Sequence, residues 1–518
     1  MNRPPPLALA ALAVSLLAAG PAGASTKING EYQLMLDLRK DQRVFPWDWF
    51  TNSNDNYTPA KLRIFSQPAP GLEAFFEAEA LWNSNDNGAA RPEFHYGTAH
   101  LRLRRESGGR GFDSYVFSRQ DRFWVDSYLL RLVYGRGGSQ GVRVDTWGFF
   151  GLNTAFIVSD YSDQFNPTSF PAGLPRDSVA RQAVNRTDDA YIVRLRREFT
   201  RDKRLRLGFT MNRFEANQGD SLNHQRTHVA VYGYDARYRV LGTDVSLEYA
   251  ESQSERPPLK FPGTSNEIAL FKRSTGIGLR RNAVVQAEIR SVRLGTSRAG
   301  FLNVTPIWWQ RGSEWQNAIG GPNRDETGFL LNTVYLLPQR AVTYTNNYRW
   351  YGNNATTHYD DREVYNEIYV EFVNGFTGKA YYRNHETFRE NAGLRIRDVF
   401  NEWFAELQVE SRLAKLVVEA KSKDIGRPEH KQLYSVETAV NLTDKLKVYN
   451  RFTFGNDASI LRKGIFSQLQ FRPAGNTEMY LQYGPDYIGG GSVPVDEGNL
   501  QGSGDQADIV KFIIKGNF

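Results

Sequence analysis

The sequence predicts an all-β fold, a transmembrane antiparallel β-barrel of about 24 strands, within roughly 22 to 26. Three observations carry this expectation. Apolar and polar residues alternate with a period of two over many separate stretches, the pattern of a strand whose two faces meet different surroundings. Phe, Tyr and Trp make up 13% of the 518 residues although only 40% of the chain is apolar. That combination follows when half of each strand faces a polar lumen and aromatic side chains crowd the membrane interfaces. Links between the stretches alternate between short and long, as the two rims of a membrane barrel require.

The alternation is clearest at 203–212, where Leu205, Leu207, Phe209 and Met211 oppose Arg204, Arg206, Thr210 and Asn212. At 401–410, Trp403, Ala405, Leu407 and Val409 oppose Glu402, Phe404, Glu406, Gln408 and Glu410. In the next stretch Leu416, Val418 and Ala420 oppose Lys415, Glu419, Lys421 and Lys423. Positions 32–38, 74–82, 191–199, 230–240, 342–350, 446–454 and 465–471 repeat the pattern. Stretches of about 9 to 13 residues are long enough to cross a bilayer at a tilt. Short links at 67–71, 200–203, 241–242, 375–378, 443–445 and 473–476 suit tight periplasmic turns. Longer polar links at 39–57, 83–92, 160–188, 250–266, 311–325, 351–361 and 488–506 fall between them as extracellular loops. Both ends of the barrel then lie at the short-turn rim, so the strand count is even. The stretch 266–295 fits either one strand with a folded-in loop or two strands that would break the alternation of turns. A soluble propeller would repeat with a period of about 40 to 50 residues, and no such period is present.

The two ends of the chain add independent signals. The stretch 508–518 places Val510, Phe512, Ile514, Gly516 and Phe518 on one face, with Lys511, Lys515 and Asn517 off it. It resembles the closing strand of Gram-negative outer-membrane β-barrel proteins, porin-like and exporter-like, in which a terminal Phe after alternating apolar residues is read by the barrel-assembly machinery. The resemblance implies an outer-membrane location, with outer-membrane lipid and that machinery as partners. It assigns Phe512, Ile514, Gly516 and Phe518 to the insertion signal. At the other end Arg3 precedes an apolar stretch over 7–19, and Ala22-Gly23-Ala24 offers the small residues that a signal peptidase reads. A Sec signal peptide at 1–24 and a single barrel domain at 25–518 are expected. No apolar run approaches the roughly 18 residues that a spanning helix needs. Cysteine is absent, which excludes a disulfide framework and thiolate metal sites. A net charge of +7 is small for this length, so nothing points to nucleic acid.

Function is read from the polar face. Arg102, Arg104, Arg194, Arg196, Arg204, Arg206, Arg237 and Arg239 recur at positions expected to line the lumen, with His100 and Arg290. Acidic positions gather at Glu73, Glu77 and Glu79, at Glu367 and Glu371, and at Glu402, Glu406 and Glu410. A turn at Ser411-Arg412 would pair Glu410 with Leu413 and set Glu402 across from Lys421, with Lys415 on the same face. Opposed charges on neighbouring strands brace a wall, while an arginine-rich arc lowers the barrier to anions. A barrel of this size encloses a lumen too wide for side chains to fill. The expectation is a porin-like channel for hydrophilic solutes or polysaccharide, weakly anion-preferring. Only a few positions separate Ser25 from the first strand, which argues against a plug domain there.

Two alternatives stand beside the channel. One is a barrel that sheathes a partner protein, such as an export subunit or an electron carrier; the other is an outer-membrane hydrolase. The chain has no Gly-x-Ser-x-Gly, no P-loop and no His-Glu-x-x-His, and His385-Glu386 lacks the second histidine. No catalytic residue, cofactor or metal is therefore assigned. The repeated Asn-Ser-Asn-Asp-Asn at 52–56 and 83–87 offers Asn54, Asp55, Asn85 and Asp86 as oxygen ligands for a hard cation or sugar hydroxyls. The same residues are ordinary turn formers.

Overall fold

The computed structural model describes residues 25–39, 48–49, 57–83, 91–118, 129–133, 140–160, 187–199, 202–218, 225–254, 280–296, 298–317, 322, 325–337, 341–353, 359–391, 394–428, 430–457, 460–484 and 509–517. The expected signal peptide, the candidate loop ligands Asn54, Asp55, Asn85 and Asp86, and Phe518 lie outside these residues. The first third of the chain forms β1 (Ser25–Arg39), β2 (Asp48–Trp49), β3 (Tyr57–Ala69), β4 (Leu72–Asn83), β5 (Arg91–Ser107), β6 (Arg110–Ser118), β7 (Gln140–Phe149) and β8 (Leu152–Asp160). The middle forms β9 (Thr187–Phe199), β10 (Leu205–Gln218), β11 (Gln225–Val240), β12 (Thr243–Ser254), β13 (Ala283–Arg290), β14 (Val292–Thr296), β15 (Gly300–Arg311), β16 (Glu326–Leu337) and β17 (Val342–Asn353). The last part forms β18 (Tyr359–Val373), β19 (Phe376–Asn391), β20 (Leu394–Glu410), β21 (Ala414–Lys423), β22 (Lys431–Asn441), β23 (Leu446–Asp457), β24 (Ile460–Ala474), β25 (Thr477–Tyr483) and β26 (Ile509–Asn517).

Each spanning strand pairs antiparallel with the next, and β26 returns to β1 with Leu36 opposite Phe512, Leu34 opposite Ile514 and Tyr32 opposite Gly516. The sheet is therefore closed. The two-residue β2 only extends the pairing of β1. β13 and β14 both pair with β15 and form one strand, interrupted at Ser291, whose φ is 57°. The wall has 24 spanning strands, and the stretch around 283–296 contributes one of them, so the turns keep their alternation.

Side-chain period fixes which face is which. Leu207 and Leu416 are each 41% exposed on the outer surface, and Leu247, Leu407 and Phe452 share that face. The neighbours Arg206, Lys415 and Glu248 point to the lumen, because in a strand successive side chains alternate. Several turns differ from expectation by a few residues. Val373 pairs with Phe376 and Ala474 with Thr477, so those turns are 374–375 and 475–476. Glu410 pairs with Lys415 rather than Leu413, because the two-residue turn is Arg412-Leu413, one position later than expected, closed by the Ser411 N–H donating to the Ala414 carbonyl. That register sets Glu402 directly across from Lys423.

Among the described residues no helix is long and apolar enough to cross a membrane. The chain crosses with strands. Closure matters here, since a bilayer offers no partner for an unpaired sheet edge.

Candidate functional site

The lower half of the early wall, toward the short-turn rim, is an arginine and carboxylate lattice. Arg102 donates to Asp113 at 2.7 Å and lies 3.7 Å from Glu73, whose other oxygen is 2.9 Å from His100. Arg143 and Asp145 pair at 2.8 Å on β7. Arg194 reaches Asp235 at 2.5 Å and the Thr210 hydroxyl at 2.6 Å. Gly208, the residue opposite Asp235, leaves the space that this carboxylate occupies. Arg206 pairs with Glu198 at 2.8 Å, Arg204 with Asp202, and Arg237 and Arg239 share Asp244. Arg104 pairs with Glu106 at 3.2 Å. Arg196 makes no ion pair among the described residues, and its Nε is buried without a hydrogen-bond partner there. The eight arginines singled out from sequence thus lie in two groups, Arg102 and Arg104 on β5 and the rest on β9 to β11 or in the turn before β10, and seven of them hold acids of the same wall.

The upper half of that arc breaks the polar-inward pattern. Phe117, Ile157, Ala190, Ile192 and Phe214 are buried on the lumen face, and Val229, Val231, Ala250 and Val284 continue the patch around the wall. What covers it comes from two links at the long-loop rim. Val133 joins the first group, while Leu130, Leu132 and Trp315 join the second. Residues 129–133 of the link between β6 and β7 therefore lie inward, against the lumen face of the wall. Glu248 on β12, 1% exposed, accepts hydrogen bonds from the N–H groups of Leu129 (2.5 Å) and Leu130 (2.9 Å). The Leu132 carbonyl accepts from Asn212 at 2.7 Å and from Asn317 at 2.8 Å, which ties the two inward segments together. The Gln316 N–H donates to Ser252 at 3.1 Å. Each fully buried large side chain contributes about 1.5 to 3 kcal/mol, so the docking is worth several times thermal energy. The lumen is narrowed on this side.

Sequence reasoning did not find the 129–133 segment or Glu248, and it placed Asn212 on the polar face without its role in holding that segment. A signal existed in strands that are apolar on both faces, such as 229–231 and 190–193, since a lumen wall with apolar inward positions needs a cover.

On the opposite arc, β17 to β20 carry a second cluster. Asp361, Glu363 and His385 bring potential ligand atoms within 4.8 Å of one another. Arg349 lies 3.4 Å from Asp361 and 2.6 Å from Glu363, and Arg383 is 3.1 Å from Glu363. His385 meets Asp361 at 2.6 Å, and the Tyr359 hydroxyl donates to the same carboxylate at 3.0 Å. Two guanidinium groups already balance the two carboxylates, so the group is a braced network that does not call for a cation. Below it Tyr365, Tyr381 and Phe404 pack in a row, with centroids 5.3 and 5.0 Å apart. Tyr381 donates to Glu402 at 2.7 Å, and Lys421 approaches the same carboxylate at 3.6 Å, diagonally across the register. Glu406 stands opposite Lys379 and Glu419. Further along, the buried Glu437 and Arg451 are direct partners on β22 and β23.

A Ser-His contact exists at the long-loop rim, where Ser422 and His430 are 2.7 Å apart. Ser422 alternates with the lumen residues Lys421 and Lys423 and so lies on the outer face. Among the described residues no carboxylate or amide is bonded to the other ring nitrogen of His430. Phe512, Ile514 and Gly516 of the insertion signal lie on the outer face of β26, with the Tyr32 ring over Gly516.

A closed 24-strand antiparallel barrel with an apolar outside, a charged lumen and short turns at one rim is the outer-membrane architecture of Gram-negative bacteria. The protein resides in that membrane. A scan against family models finds no match, and a sequence comparison with curated proteins finds none either. Among solved structures the chain is similar to the siderophore receptor PirA from Pseudomonas aeruginosa, with 8% identity, a TM-score of 0.48, and coverage of 95% of this chain and 81% of that one. It is also similar to the P pilus usher PapC translocation pore, with 7% identity, a TM-score of 0.44, and coverage of 95% and 99%. The FrpB iron transporter from Neisseria meningitidis gives 8%, 0.40, and coverage of 97% and 83%. At such identities and scores, nothing about ligand or activity passes from those proteins to this chain.

Proposed function

We propose that the chain is an outer-membrane transport channel for hydrophilic solutes, narrowed on one side by two inward-docked segments and weakly anion-preferring. One observation carries this reading: a 24-strand wall has a lumen too wide for its own side chains to fill, and among the described residues the docked segments cover the β6 to β13 arc. Passage then runs along the arc formed by β17 to β26, between charged pairs and tyrosine rings. The anion bias is small, because seven of the eight arginines are neutralised by neighbours and only Arg196 stands without an ion pair among the described residues. The protein acts as a conduit and not as an enzyme; Ser422 and His430 form a pair without an orienting third group among the described residues. Liposome swelling with neutral sugars and glycans of increasing size tests the reading. Uptake should fall off with size at a sharp limit. Liposomes as tight as protein-free ones would overturn it.

A further inference from the structure

Two hairpins at the short-turn rim are built against the usual chemistry of their turns. Phe150-Gly151 and Leu241-Gly242 are two-residue turns in which both residues have positive φ, 53° and 70° in the first and 48° and 80° in the second. This type I′ geometry favours Asn, Asp or Gly at its first position, and a bulky residue there is an outlier. The neighbouring Gly108-Gly109 turn, at 57° and 74°, uses the ordinary solution. Phe150 is nonetheless 89% exposed and Leu241 100% exposed. Leu413 and Leu442 stand out on two further turns of the same rim. Large apolar side chains at strained, fully exposed positions have no role in packing the barrel itself.

Two features identify what covers them. First, the apolar outer face runs without a break into these tips: Tyr234, Tyr238 and Val240 lead to Leu241, and Val245 and Leu247 lead away from it, all on the exposed outer surface. The tips continue a surface already assigned to lipid. Second, cations stand exposed on turns that carry or neighbour them. Arg110, Arg298, Arg412 and Lys445 are exposed turn or turn-adjacent residues; of the acids at this rim Glu106 and Asp202 are held by Arg104 and Arg204, while Glu410 and Asp444 stand exposed beside Arg412 and Lys445.

We infer that the short-turn rim is an anionic-phospholipid anchor, in which Phe150, Leu241, Leu413 and Leu442 enter the interfacial layer of the inner leaflet and the turn arginines and lysine bind headgroup phosphates. Apolar tips beside cations are the pairing by which interfacial elements hold anionic lipid. The strain at Phe150 and Leu241 is then offset by insertion, which a Gly-Gly turn cannot provide.

Because the chain lacks cysteine, Leu241→Cys and Phe150→Cys each create a unique labelling site. A bimane at either position is followed in full-length protein reconstituted into phosphatidylcholine vesicles, with or without phosphatidylglycerol. Strong quenching by nitroxide lipids labelled near the headgroup, and protection from aqueous iodide, are expected. Native mass spectrometry should show phosphatidylglycerol enriched on the protein, and a variant with Arg110, Arg298, Arg412 and Lys445 as Gln should lose most of that enrichment while keeping its fold. Labels quenched by iodide and untouched by nitroxide lipid would overturn the anchor and mark the tips as a docking surface for a soluble protein. Unchanged lipid enrichment in the Gln variant would overturn the headgroup assignment.

Discussion

The side chain of Leu132 occupies the space in front of Gly233, where any Cβ would collide with its Cδ1. Leu132 belongs to a link at the outer rim, and Gly233 to the lumen face of β11. The wall is dented where the inward segment docks, so the narrowing is written into both partners. Ala250 and Val231 flank the same dent.

Filling the dent should release the segment. Gly233→Leu is expected to displace Leu132, and Leu132→Ala to weaken docking by about 2 to 5 kcal/mol, the range for truncating a buried leucine. Limited proteolysis should cleave near 129–133 faster in both variants, while heat-modifiable gel mobility, which reports the barrel, stays as in the wild type. Equal cleavage rates would mean that the segment is held by something other than this contact.

Glu248 holds the same segment from a second side. Glu248→Ala leaves the N–H groups of Leu129 and Leu130 without this acceptor, at a cost of about 1 to 3 kcal/mol for an unmet buried donor. Glu248→Gln keeps an oxygen in place and should behave much closer to wild type. Hydrogen exchange at Leu129 and Leu130 distinguishes the two, with fast exchange expected only in the Ala variant.

The Arg194 and Asp235 pair is buried, so breaking it from one side should cost more than removing it. Arg194→Gln leaves an uncompensated carboxylate and is expected to lose about 3 to 5 kcal/mol. Adding Asp235→Asn should recover most of that loss. Detergent unfolding midpoints of the three proteins make the comparison, and a double variant no better than the single one would contradict the assigned pairing.

Lipid-facing positions should be intolerant of charge in a way that their neighbours are not. Leu207→Arg or Leu416→Arg near mid-membrane should cost about 2 to 4 kcal/mol. Lys415→Glu, one residue from Leu416 and facing the lumen, should fold at normal levels. Equal loss of assembled barrel for Leu416→Arg and Lys415→Glu would put the strand in the opposite register.

The wall was legible in the sequence because a period of two has a single physical meaning once one face meets lipid. Leu207 against Arg206, and Leu416 against Lys415, already fix the two faces. The turn between β20 and β21 was less legible: whether its two residues are Ser411-Arg412 or Arg412-Leu413 depends on a single backbone hydrogen bond, and moving the turn by one position shifts the register by two, from Lys421 to Lys423 opposite Glu402. The charge lattice was half legible. The arginines stand out individually, but their neutralisation comes from acids on strands up to 41 positions away, as with Arg194 and Asp235. The inward segment left only an indirect trace, in strands such as 229–231 that are apolar on the lumen face. Its docking depends on Glu248, Asn212 and Gly233, which lie about 80 to 120 residues beyond it and have no local pattern.

Single-channel recording in planar bilayers, under a KCl gradient, tests the central claim most directly. Wild-type protein should conduct steadily, with a reversal potential displaced slightly toward anions, and Gly233→Leu should conduct more while keeping nearly the same small bias. Silence in both proteins, or identical conductance in the two, would contradict a channel narrowed by the docking of Leu132 against β11.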